Sequence, residues 1–212
     1  MFITFEGPDG AGKTTQIKLL YEALKAGGYR VVVTREPGGT SIGDRIRELL
    51  LDPDQKEMAA ETEVLLYAAA RAQHVQEKIV PALQEGKLVL CDRFVDASLA
   101  YQGYGLGLGE AQVRVINQFA TGGLEPDLTI LLDLPPEEGR RRLERRSPLD
   151  RIEQKSIAYH RRVREGFLQL AKREKRMMVI DARQEIDVIH RTVLHAVGVL
   201  LADKRILRPE QL

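Results

Sequence analysis

The run Phe2-Ile3-Thr4-Phe5-Glu6-Gly7-Pro8-Asp9-Gly10-Ala11-Gly12-Lys13-Thr14-Thr15 decides the fold. Its first five residues are mostly apolar and aromatic or β-branched, and they read as a buried strand. The next eight match the pattern G-x-x-x-x-G-K-T in full, from Gly7 to Thr14. Glycines at such a turn let backbone N–H groups point inward around phosphate oxygens, and the following helix N-terminus adds partial positive charge. In a loop of this kind the lysine, here Lys13, reaches the outer phosphates of a nucleoside triphosphate. The next hydroxyl, here Thr14, faces a magnesium ion.

Outward from this loop, short β-rich runs alternate with longer helical ones. The pattern predicts strands over Phe2–Glu6, Val31–Arg35, Lys87–Asp92, Leu128–Leu134 and Met177–Asp181. It predicts helices over Lys13–Ala26, Ile42–Leu51, Thr62–Glu85 (kinked at Pro81), Glu110–Ala120, Glu153–Lys175 and Ile186–Ala202. Apolar strands separated by helices imply an α/β fold, a parallel sheet flanked by helices and joined by right-handed crossovers. At 212 residues the chain is expected to form one domain, with a tail over 203–212.

Composition narrows the class. The 32 Lys+Arg against 31 Asp+Glu argue against a polyanion coat, so no nucleic-acid partner is expected. One cysteine allows no internal disulfide and fits a reducing compartment. No apolar run reaches the roughly 20 residues of a membrane span, and Met1–Gly10 is unlike a secretory signal. A cytoplasmic protein with no membrane partner is the expectation.

The guanine-reading string Asn-Lys-x-Asp is absent, and so is the Asp-Glu strand end of motor ATPases. Two strands end in aspartate, Asp92 and Asp133, and either would serve the metal side. Arg93 follows Asp92 and suits a phosphate at the carboxyl edge of the sheet, which favours Asp92. A phosphoryl-transfer enzyme also needs a second anion site that aligns donor and acceptor. Arg35, Arg47, Arg71 and Arg93 are the candidates. Tyr67 and Arg71 share a helix face at i and i+4. They fit a stacking ring beside a base-reading guanidinium, and equally a surface arginine covering its own tyrosine. Residues 92–108 hold Ser98, Tyr101 and Gln102 before a glycine-rich stretch. Gln102 carries a donor and an acceptor fit for a base edge; a plain surface loop is the alternative.

The run 140–151 holds six arginines against one Glu and one Asp. Such runs are usually solvated helix faces. Beside a phosphate loop, a small mobile arginine lid that closes over phosphates and excludes water becomes the better reading.

Together these segments resemble the thymidylate kinase family, within the nucleoside monophosphate kinases of the P-loop fold. The resemblance rests on FEGPDGAGKTT, TREPGGT, ETEVLLYAAARAQHV, LCDRFVDASLAYQG, LDLPPEEG and LDRIE, and runs from Ile3 to about Ala202. It implies transfer of the ATP γ-phosphoryl group to dTMP, with Mg²⁺, by a homodimer. It implies an ATP site formed by residues 7–15, with Arg142 and Arg183 at the adenine. It implies that Asp9 meets the sugar 3′-hydroxyl, that Tyr67 stacks on thymine, and that Arg71, Ser98 and Gln102 read the base. Tyr101 would crowd the 2′-position, Arg35, Arg47 and Arg93 would hold the acceptor phosphate, and Glu36 would lie by the sugar and metal. The metal set is Thr14 and Asp92. Lys13, Arg93, Arg146 and Asp9 are the implied catalytic set. Position 10 is Gly, so the resemblance is to the bacterial type, in which the lid supplies the catalytic arginine. Departures are modest: Tyr67 stands where Phe is usual, Ala97 where Ser is frequent, and Glu144 where some relatives carry Arg.

Overall fold

The computed structural model describes residues 1–144, 148–204 and 206. Its sheet has five parallel strands in the order β2-β3-β1-β4-β5: β1 Phe2–Glu6, β2 Val31–Arg35, β3 Leu88–Asp92, β4 Leu128–Asp133 and β5 Met177–Asp181. Each lies within a residue of the span that the apolar runs predict. β1 is central and wholly buried. Its alternation sends Ile3 and Phe5 toward α1 (Lys13–Ala26) and α9 (Ile186–Asp203), where Leu20, Leu24, Val193 and Val197 join them. On the opposite face Phe2 packs with Val75, Ile79, Val89 and Phe94. A third cluster joins Leu131 of β4 to Tyr159, Val163 and Phe167 of α8 (Ile157–Arg173). Both faces are therefore covered, as an all-parallel sheet requires. Truncating a core ring such as Phe5 to Ala should cost about 3–5 kcal/mol.

The remaining helices are α2 Ser41–Leu51, α3 Ala60–His74, α4 Val80–Gln84, α5 Val95–Ser98, α6 Glu110–Thr121 and α7 Pro136–Leu143. Two sequence expectations are corrected. The helix predicted over Thr62–Glu85 divides into α3, a π-helical turn Val75–Ile79, and α4. Val80 N–H bonds back five residues to Val75, so the ladder widens just before Pro81, which has no N–H to donate. The helix predicted from Glu153 begins at Ile157 because Ser156 Oγ accepts the Tyr159 N–H and caps it.

The first part of the glycine-rich stretch after α5 is no surface loop, although Gly107 beyond it is exposed. That first part forms a buried π-helical turn, Leu99–Gly105, against α8. A Cβ on Gly105 would lie 2.7 Å from Tyr159 and Val163, so only glycine permits that packing.

The arginine run also divides. Arg140, Arg141 and Arg142 lie on α7, while Arg145 and Arg146 fall outside the described residues. Arg151 is buried, donating from Nε to Leu50 O at 2.7 Å and from Nη1 to Glu63 at 2.8 Å. It anchors the chain to α2 and α3, so the lid expected over 140–151 loses this arginine as a phosphate-facing group.

Candidate active site

The phosphate loop runs from the carboxyl end of β1 into α1. Gly7, Gly10 and Gly12 all have positive φ, which glycine adopts without steric cost. Gly10 also marks a close approach: a Cβ there would lie 2.8 Å from Gly139 O of α7. The loop is thus clamped against the arginine-bearing helix. Lys13 is buried, and its ammonium donates to Gly7 O at 3.1 Å and Pro8 O at 2.9 Å. Burial lowers its pKa, and the charge of Arg93 lowers it further.

The two strand-end aspartates have different partners. Asp133 is gripped by both Arg164 nitrogens at 2.7 and 2.8 Å. Asp92 Oδ2 accepts the Thr14 hydroxyl at 3.3 Å, and its buried Oδ1 has no partner among the described residues. Asp92 is therefore the aspartate beside the loop with a free oxygen.

Arg93 next to it is the only non-glycine with positive φ among the described residues. Its backbone N–H bonds to Phe5 O. The backbone of Phe94 is held at both its N–H and its C=O: Glu6 accepts Phe94 N–H at 2.7 Å, and Arg71 donates to Phe94 O at 2.9 Å. Burial pushes the Glu6 carboxyl well above the usual range, with Asp96 adding to the effect. The constrained backbone aims the Arg93 guanidinium at Asp9, 2.7 Å away, and over the Tyr101 ring at 4.9 Å. Tyr101 donates to the other Asp9 oxygen at 3.2 Å. Burial alone would raise the Asp9 pKa. Arg93 and Lys13 overcome it and hold the carboxyl well below its ordinary range. One Arg93 nitrogen, Nη1, is buried without a partner among the described residues.

Beyond this corner opens a cleft that is partly open to solvent. Asp9, Glu36, Arg47, Tyr67, Arg71, Arg93, Ser98, Tyr101 and Gln102 all line it. Of the residues expected at the acceptor, Arg35 alone lies outside the lining. It is exposed and pairs with Asp44 at 3.4 Å. Arg47 donates to Pro37 O at 3.0 Å.

Arg71 decides between the two readings of its helix face. It is 1% exposed, so it is no surface cover for Tyr67. Nε donates to Glu36 at 2.6 Å, Nη1 to Ser98 Oγ at 2.9 Å and to Asn117, and Nη2 to Phe94 O. A guanidinium has five N–H groups, so one has no partner among the described residues, and Arg71 lines the cavity. Glu36 carries a duty that its place beside a glycine loop did not reveal: its oxygens hold Arg71 and His74 Nδ1.

Glu63, His74 and Asn117 are supporting residues that the sequence reading missed. Glu63, Tyr67 and Arg71 recur at i, i+4 and i+8, a spacing that marks one helix face. A polar Asn117 on the buried side of α6 between Val113 and Ala120 was the other available signal.

On the triphosphate side, Arg142 donates to Gly10 O at 3.1 Å and Ala182 O at 3.4 Å. It thereby meets the loop that carries Arg183, whose side chain pairs with Asp181 at 2.8 Å. Thr15 is exposed on the first turn of α1.

Comparison with known proteins identifies the family. The sequence model of the family described as Thymidylate kinase matches residues 5–193. A thymidylate kinase of Exiguobacterium sibiricum is 59% identical over 187 residues, covering 88% of each chain. One of Exiguobacterium sp. is 56% identical over 195 residues, 92% of each. One of Geotalea uraniireducens is 51% identical over 209 residues, 95% of this chain and 98% of the relative. Matched across most of its length and more than half identical to such relatives, the chain belongs to the thymidylate kinase family.

Proposed function

We propose that the protein transfers the γ-phosphoryl group of ATP to the 5′-phosphate of dTMP, giving dTDP and ADP for nucleotide biosynthesis. The observation that carries this reading is the position of Asp9. It belongs to the phosphate loop and also lines the cavity with Arg93 and Tyr101. A donor site and an acceptor site that share a wall suit an in-line displacement, where positioning and charge supply most of the catalysis.

The roles follow from the partners each group has. Lys13 exchanges two loop carbonyls for phosphate oxygens. Arg93 offers its unpaired Nη1 to the acceptor phosphate, and Arg47 adds a second charge from across the cavity. Arg35 joins them only by leaving Asp44. Tyr67 stacks on the base. Arg71 gives its remaining N–H to a base carbonyl, while Gln102 and Ser98 flank that edge. Tyr101 closes off the sugar and Asp9 takes its 3′-hydroxyl. Arg142 and Arg183 hold the adenine. Arg146 takes the catalytic role assigned to the lid, about 140–151 of a single-domain chain.

The residues present fit Mg²⁺. Asp92 has a buried oxygen with no partner beside the Thr14 hydroxyl, a hard-oxygen set of the kind that magnesium takes with substrate phosphates. When bound, the ion neutralises charge on the phosphoryl oxygens.

A homodimer in the cytoplasm completes the reading. Phe119 is 94% exposed and Val115, one turn earlier on α6, is also exposed, as is Leu65 on α3. α3 packs against α6, so these side chains suit a face shared with a second copy. No described helix is long and apolar enough to cross a membrane.

The test is ADP release with dTMP, dUMP, AMP and GMP as acceptors. dTMP is expected to be the best of them. Higher kcat/KM with AMP or GMP would refute the assignment.

A further inference from the structure

We infer that Glu63 is a positioning residue that sets which face of the Gln102 amide meets the base, and so makes the cavity prefer dTMP over dCMP. This rests on the acceptor assignment above. Glu63 is buried in the first turn of α3 and does not line the cavity. It acts on what does. Gln102 Nε2 donates to Glu63 Oε1 at 2.9 Å. A carboxylate only accepts, so the amide must turn its NH₂ toward Glu63 and leave its carbonyl oxygen for the cavity. Flipping the amide would set oxygen against oxygen in a buried space, where an unsatisfied polar group is costly.

The carboxylate is itself held in place. Glu63 Oε2 pairs with Arg151 Nη1 at 2.8 Å, with Lys155 farther away at 3.8 Å. Arg151 is tied in turn to the end of α2 through Leu50 O. The orientation of Gln102 is therefore fixed before any ligand arrives.

The chemistry then selects the base. At the base edge Gln102 Oε1 serves as the acceptor and the remaining Arg71 N–H as the donor. Thymine presents the complement, an N3–H donor beside the O4 acceptor. Cytosine presents an unprotonated N3 beside an amino group, so both contacts become mismatches. A site built to hydrogen-bond one edge rejects the other because its buried groups are left unpaired. A buried ion pair that merely joins α3 to the segment after the lid would make no such distinction.

The experiment compares kcat/KM for dTMP and dCMP in the wild type and in Glu63→Gln. The glutamine keeps the size and can present either a donor or an acceptor to Gln102. The dTMP:dCMP ratio is expected to fall by about tenfold, the worth of one hydrogen bond. The change should come through a raised KM for dTMP and a lowered KM for dCMP, with kcat little altered. Equal losses on both substrates, with the ratio intact, would overturn the inference and leave the acceptor assignment standing. A wild type with no preference for dTMP over dCMP would overturn both. If Glu63→Gln alone yields no folded protein, Glu63→Gln with Arg151→Gln leaves no guanidinium buried without its partner. That double variant is read by the same ratio.

Discussion

The two ends of the cavity are built differently. At the end beside the phosphate loop the cations keep donors in reserve. Lys13 rests on two loop carbonyls, Arg47 on one, and Arg93 keeps a buried nitrogen unpaired. At the Arg71–Gln102 end nearly every polar group is tied. Arg71 makes four bonds, with Glu36 and His74 behind it, and Gln102 is tied to Glu63. Groups that stabilise developing charge act best when already aimed at it, and the donors left unused at that end are available to a phosphate. A base keeps its edge throughout, so its ligands gain by being fixed beforehand.

Substitutions at the two ends should therefore fail in different ways. Lys13→Ala should lower kcat by about 100–1000-fold, the usual worth of a group stabilising developing charge. It should leave urea stability nearly unchanged, because only two loop carbonyls lose a partner. A large loss of stability would break the contrast. Arg71→Met should do the reverse. It leaves Glu36 buried with its main cation gone, which should cost about 3–5 kcal/mol in urea unfolding. KM for dTMP should rise, while the ATPase activity without acceptor is little changed.

Asp9 stands between the two ends and makes the smallest effect, read through pH. Arg93 and Lys13 depress its pKa in the folded protein. Its stabilising contribution is then present above the ordinary aspartate pKa of about 4 and is lost as pH falls toward the lower folded value. The Tm gap between wild type and Asp9→Asn should be constant from neutral pH down to about pH 5 and should narrow below about pH 4. A gap that widens in acid would reverse the sign of the coupling.

The contrast between the ends also governs what the sequence made legible. The phosphate loop is contiguous, so Gly7 to Thr14 declared both its backbone geometry and its ligand. The strands were visible because each is apolar on both faces. The π-helical turns were not, since widening before Pro81 and the packing of Gly105 on α8 depend on tertiary partners. Glu63 and Gln102 are 39 positions apart, and no local period links them. Arg151 looked like one more member of a basic run, although it is buried against Glu63. Charge balance argued only against a polyanion coat and said nothing of Arg47, Arg71 and Arg93 meeting in one cavity.

The central claim is that the acceptor cavity of the free protein is already shaped for thymine. Titration calorimetry of dTMP and dCMP into the protein without ATP tests it directly. Binding of dTMP tighter than dCMP by about 100-fold is the predicted result, since two edge contacts change sign. Equal affinities for the two nucleotides would contradict it.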